Sequence, residues 1–98
     1  MEIPEVEELD FSGVQANERL VRYGVKEVLG GLRWIPESGR ETVIKDALAD
    51  RAAFVETLMG VLRPNVERFF GEADNELSEV AEVVAGIVLG AFEKQLEE

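Results

Sequence analysis

The chain has 98 residues, a net charge of −11, 46% apolar side chains, no Cys and no His. That bounds it to a single domain with enough apolar surface for a core. It excludes disulfide scaffolds, zinc sites built on thiolate or imidazole, and catalysis by Cys–His or Ser–His–Asp constellations.

Residues 1–10 hold five acids and no base, the opposite of the basic start of a secretory leader, so a cytoplasmic location is expected. Pro4 and the absence of helical periodicity mark 1–11 as an acidic, loosely held arm. Its Ile3, Val6, Leu9 and Phe11 can dock on a neighbour. Residues 12–98 read as one helical domain.

Ser12-Gly13-Val14-Gln15 matches a capping box and predicts a helix from about 13 to 35. At 100° per residue, Val14, Val21, Val25, Val28, Leu32 and Ile35 share one face, flanked by Leu20 and Leu29. Pro36 stops this helix, because the residue before a proline is pushed out of the helical region. Ser38-Gly39-Arg40-Glu41 is a second capping-box pattern and predicts a helix over 40–63. Its inward face is Ile44, Leu48, Val55, Leu58 and Leu62, flanked by Ala47, Phe54 and Val61. Pro64 either stops it or bends it, and a short helical segment follows at 65–70, anchored by Val66, Phe69 and Phe70 and closed by Gly71.

A last helix is predicted over 75–96. Asp74 or Asn75 caps it, and Glu76 and Glu79 favour its positive N-terminal end. Leu77, Val80, Ala81, Val84, Ile87, Val88, Ala91 and Phe92 form its apolar face. The fold class is therefore all-α: a bundle of three long helices and one short segment. One small chain leaves surplus apolar surface, so oligomerisation, first as a homodimer, is expected to complete it.

Within the last helix, VVAGIVLGAF carries no polar side chain, yet it is shorter than the roughly 18 to 20 apolar residues that span a bilayer. Gly86 and Gly90 fall on the polar side of the helix, bordered by Val83 and Leu89. Each interior glycine costs a helix about 1 kcal/mol relative to Ala. Small residues four apart let a second backbone approach, so a second helix, from another subunit, is expected to cross there.

Two other residues are candidates for an interface. Arg51 falls on the apolar face between Leu48 and Val55, where it must pair or reach the solvent edge. The solvent edge is the expectation, with an anion site or an interface salt bridge as the alternative. Trp34 and Tyr23 lie away from the core face of the first helix. Trp34 is expected to fold back over the turn at Pro36; left exposed, it would mark a partner surface.

Charge is unevenly placed. Residues 11–71 hold nine bases and eight acids, whereas 72–98 hold eight acids and one Lys. The acidic ends can lie against the mildly basic middle, within a chain or between chains. Arg19, Arg22, Lys26 and Arg33 form a stripe on the first helix. It lacks interleaved aromatics and sits in an acidic protein, so it reads as a solvated face and no nucleic acid or membrane partner is expected.

Glu76, Glu79 and Glu82 read as a wet helix face, and no carboxylate pair has the setting of a catalytic dyad. No glycine-rich phosphate loop or EF-hand spacing occurs. No catalytic residue, cofactor or metal is expected. The functional expectation is a non-catalytic adaptor or structural subunit that self-associates through apolar helix faces. Alternatives are an acidic inhibitor or nucleic-acid mimic that binds a basic protein, and a bundle that binds a small ligand.

Overall fold

The computed structural model describes residues 2–14, 18–70 and 74–97, with the side chains of 66–70 and 74–76 left aside. The expected roles of Gln15, Val66, Phe69, Phe70, Gly71, Asp74, Asn75 and Glu76 lie outside the described residues or side chains. Among the described residues, four α-helices follow a short 3-10 turn at Val6–Glu8: α1 Glu18–Trp34, α2 Glu37–Ala49, α3 Arg51–Phe70 and α4 Asp74–Glu97. The fold is an all-α bundle, with no strand among the described residues. The α4 helix is its axis and packs against α1, α2 and α3.

The helix boundaries differ from the sequence expectation in four places. Gly13 and Val14 lie in a turn, where the Val14 amide donates to the Phe11 carbonyl at 3.0 Å. Ser12 does not begin a helix at Gly13; its amide donates to Asp10 Oδ1 at 2.9 Å.

Pro36, with backbone angles of φ −54° and ψ 142°, stands at the cap position of α2. Ser38 and Glu41 therefore lie inside a helix that starts earlier than expected. What the 38–41 stretch contributes is Arg40. Its Nε donates to the Ile35 carbonyl at 3.0 Å and the Leu32 carbonyl at 3.2 Å, and its Nη2 to the Arg33 carbonyl at 3.1 Å. These carbonyls lie at or just beyond the C-terminal end of α1, where helix carbonyls lack partners in the next turn and a cation is favoured.

The expected helix over 40–63 is divided at Asp50. The Asp50 amide still donates to the Asp46 carbonyl at 3.0 Å, but its backbone leaves the helical region at φ −134° and ψ 78°. Its Oδ1 then accepts the Ala53 amide at 3.1 Å, which is the N-cap contact of a new helix. One aspartate thus ends α2 and starts α3. Pro64, in turn, breaks nothing: α3 continues through it to Phe70, so the separate segment at 65–70 is the end of α3.

The core is apolar throughout among the described residues. Leu20, Val21, Val25 and Leu29 come from α1, Ile44 from α2, Val55, Leu58 and Leu62 from α3. The α4 helix supplies Leu77, Val80, Ala81, Val84, Ala85, Val88, Leu89 and Phe92, a stripe at helical spacing. It is turned slightly from the expected face: Ala85 and Leu89 are buried, whereas Ile87 and Ala91 are half-buried. Leu48, Val28 and Ile35 are likewise half-buried at the margin.

Gly24 is the glycine that this packing uses. It is buried on the core side of α1. A methyl carbon added there would stand 2.9 Å from Val84 Cγ2 of α4 and 3.4 Å from Leu62 Cδ2 of α3. The three helices meet at this point because the position carries no side chain.

The arm is held to its own chain. Phe11 is 5% exposed and part of the core, and Ile3, Val6 and Leu9 pack against it. Arg33 Nη2 donates to the Pro4 carbonyl at 2.9 Å and lies 3.3 Å from Glu5 Oε1, while Gln95 Nε2 donates to the Glu2 carbonyl at 3.0 Å. The acidic arm meets a base of the middle segment within one chain, so it is anchored rather than loose.

Candidate interaction site

Six residues stood out in the sequence as interface candidates: Val83, Gly86, Leu89, Gly90, Arg51 and Trp34. The structure separates them into three groups.

Leu89 is 3% exposed and belongs to the core. At 100° per residue it falls about 40° beyond Ala85, at the edge of the buried face of α4, so it is not available to a partner.

Arg51 and Gly86 face each other. The break at Asp50 places Arg51 as the first residue of α3, exposed at the solvent edge as expected. Its Nη2 donates to the Glu82 carbonyl at 3.4 Å, a long contact, and lies 3.2 Å from where a side-chain carbon on Gly86 would stand. Among the described residues no carboxylate is within ion-pair distance of this guanidinium. The space above Gly86 is thus taken by an arginine of the same chain. Around it lies an open groove of about 440 Å³, walled by Val14, Val83 and Ile87 and rimmed by Asp10 and Glu82. The Ser12 side chain and amide both bond the Asp10 carboxyl and hold it below the usual carboxylate range.

Trp34, Val83 and Gly90 lie on the outside of the bundle, Trp34 and Gly90 exposed and Val83 half-buried. Trp34 is 90% exposed. Its indole does not fold back over Pro36; the carbonyls at the end of α1 there are bonded by Arg40. Val83 and Ile87 are half-buried on the outer side of α4. Gly90 is exposed, with nothing within 4 Å of an added carbon. The acids Glu79, Glu82 and Glu93 border this face and are exposed. Tyr23, paired with Trp34 in the sequence reading, is instead half-buried against the core.

The basic stripe of α1 is exposed along its length. Arg22 serves the chain itself, its guanidinium lying 4.3 Å from the centre of the Phe11 ring and 3.6 Å from Glu18 Oε1. Arg33 holds the arm.

A second surface was not foreseen. The bend between α2 and α3 leaves an open groove of about 430 Å³ lined by Val43, Ala47, Ala53, Phe54 and Thr57, with Asp46 and Asp50 at its edge. The sequence signal was the run ALADRAAF, which places an N-capping Asp inside an otherwise helix-forming stretch.

Among the described residues no cluster of acids is placed to hold a metal ion, and no helix is long and apolar enough to cross a membrane. The class that fold and surfaces define is a small all-α bundle. Compared with known proteins, the chain matches no family model, no curated protein and no solved structure.

Proposed function

We propose that the chain is a non-catalytic helical interaction protein, an adaptor or structural subunit that self-associates. The exposed indole of Trp34 carries this reading. Each Trp brings about 150–250 Å² of surface to a contact, and apolar burial yields about 25 cal/mol per Å². A Trp left in water at a helix end, above a core that is already closed, is the side chain with most to gain from a partner.

The partner in this reading is a second copy. The outer side of α4 offers an apolar strip, Val83 and Ile87, beside the open position at Gly90. In a two-fold dimer, Trp34 of each copy fills the space over Gly90 of the other, so one contact is made twice. The Glu79, Glu82 and Glu93 rim then meets the basic stripe of the partner's α1, which fixes orientation more than affinity. A second backbone crossing at both glycines would have to displace Arg51 from Gly86. A side chain seated over Gly90 does not require that. The reading includes a cytoplasmic location, which cell fractionation tests.

The test is molar mass against concentration by sedimentation. A dimer held by apolar burial persists at high salt, whereas capture of a basic partner weakens steeply as salt screens the charges.

A further inference from the structure

We propose that the groove between α2 and α3 is a docking site for a basic amphipathic helix of another protein. It is a different surface from the Trp34–Gly90 contact, and it goes beyond the self-association reading.

The groove has an apolar floor and an acidic edge. Ala47 is buried, Phe54 is half-buried, and Val43 is 38% exposed, a β-branched residue left in water on a helix otherwise rich in charge. Thr57 donates its hydroxyl to the Ala53 carbonyl at 3.0 Å. With that proton so engaged, Thr57 offers a ligand its methyl and the acceptor lone pairs of its hydroxyl oxygen. The volume of about 430 Å³ falls within the roughly 300–1,000 Å³ of known ligand clefts. It is open at the surface, as a groove for side chains presented by a helix must be.

Charge selects the occupant. Asp46 and Asp50 line the groove, and among the described residues no base does. Lys45, the base next in sequence to Asp46, has its ammonium 3.2 Å from Glu41 Oε1. Asp50 uses one carboxylate oxygen on the Ala53 amide, and a carboxylate has further acceptor capacity on its second oxygen. The chain as a whole carries −11, which draws a basic ligand in and speeds its encounter. An apolar row on one side of a helix, with Lys or Arg beside it, matches both features. An acidic or uncharged segment matches only the floor.

The experiment uses a synthetic Leu/Lys peptide with Leu at i, i+3, i+4 and i+7, labelled for fluorescence anisotropy, and the full chain. Binding is expected to weaken at least about tenfold in Val43→Lys, which places a charge on the apolar floor. Asp46→Lys is expected to weaken it several-fold. Glu7→Lys, an equal change of charge on the arm, is expected to leave it within about twofold of wild type. Backbone amide shifts on peptide addition should centre on Val43, Ala47 and Phe54. Circular dichroism confirms that each variant is folded, and both Val43 and Asp46 are exposed enough to allow it.

The proposal is overturned if wild type does not bind, or if all three variants weaken binding equally, since diffuse charge would then explain it. Equal binding of a Leu/Glu peptide, or shifts centred elsewhere, overturns it too. A peptide that dissociates a self-associated form would assign the groove to a second copy and overturn it as well. Trp34→Ala is expected to bind the peptide as wild type does, so failure here leaves the self-association reading standing.

Discussion

The guanidinium of Arg51 lies over Gly86, with Nη2 3.2 Å from the point where a side-chain carbon would stand. The two residues are 35 positions apart and meet because Asp50 ends one helix and starts another immediately before Arg51. A glycine that looked like the seat of a foreign helix is covered from within the chain. The cover is the far end of a flexible, exposed side chain, and it can move.

Three glycine-to-alanine substitutions should therefore differ in sign. Gly86→Ala and Gly90→Ala gain up to about 1 kcal/mol of helix propensity, against a movable arginine in one case and open space in the other. At a protein concentration too low for self-association, each is expected to raise the melting temperature by up to about 4–8 °C. Gly24→Ala must push Val84 Cγ2 from 2.9 Å, and Val84 is fully buried. Overpacking of this kind costs about 1–3 kcal/mol, which outweighs the propensity gain. Thermal melts by circular dichroism decide the matter; a stabilised Gly24→Ala would contradict the packing described.

Arg40 bonds three carbonyls around the end of α1 and so fixes the turn from which Trp34 projects. Arg40→Ala is expected to cost about 1.5–3 kcal/mol, the range for hydrogen bonds to a charged group. Arg40→Lys should recover little, because an ammonium cannot reproduce the planar fork that reaches Leu32, Arg33 and Ile35 together. Denaturant melts of the two variants test this, and full rescue by Lys would show that charge alone matters.

Asp10 gives a pH dependence with a definite sign. Its carboxyl is held below the ordinary value of 3.8, first by the Ser12 side chain and then by the Ser12 amide. A carboxyl lowered in the folded state contributes stability that is complete above its ordinary value and is lost as pH falls through the lowered one. The Ser12 amide resonance should titrate with a midpoint below 3.8, and Asp10→Asn should abolish that transition. A midpoint at or above the ordinary value would contradict the contact.

The all-α class was legible because Leu, Val and Ile recur at helical spacing in every long segment, and Pro36 ends α1 as its chemistry requires. The break at Asp50 was not. The apolar residues keep one register across ALADRAA with only Arg51 out of place, and the competing choice, a carboxylate capping the Ala53 amide, is local and shows no change of period. Pro64 misled in the other direction, since α3 runs on through a residue that normally ends a helix. Arg51 was read at the solvent edge and is found there. Trp34 was expected to cover a turn whose carbonyls Arg40 already occupies. Gly24 passed unnoticed because a glycine on a core face leaves no mark in a hydrophobic pattern. Its place one residue before Val25 and three after Val21 was the available signal.

The most direct test of self-association is sedimentation of wild type, Trp34→Ala and Gly90→Leu over a wide concentration range at low and high salt. Both substitutions are at exposed positions, so the folded chain should survive them. Wild type is expected to approach twice its 10.9 kDa chain mass at both salt levels. Trp34→Ala, which removes the indole, and Gly90→Leu, which fills its seat, are both expected to remain near one chain mass. A wild type that stays at one chain mass throughout, or variants that associate as strongly as it does, would contradict the account.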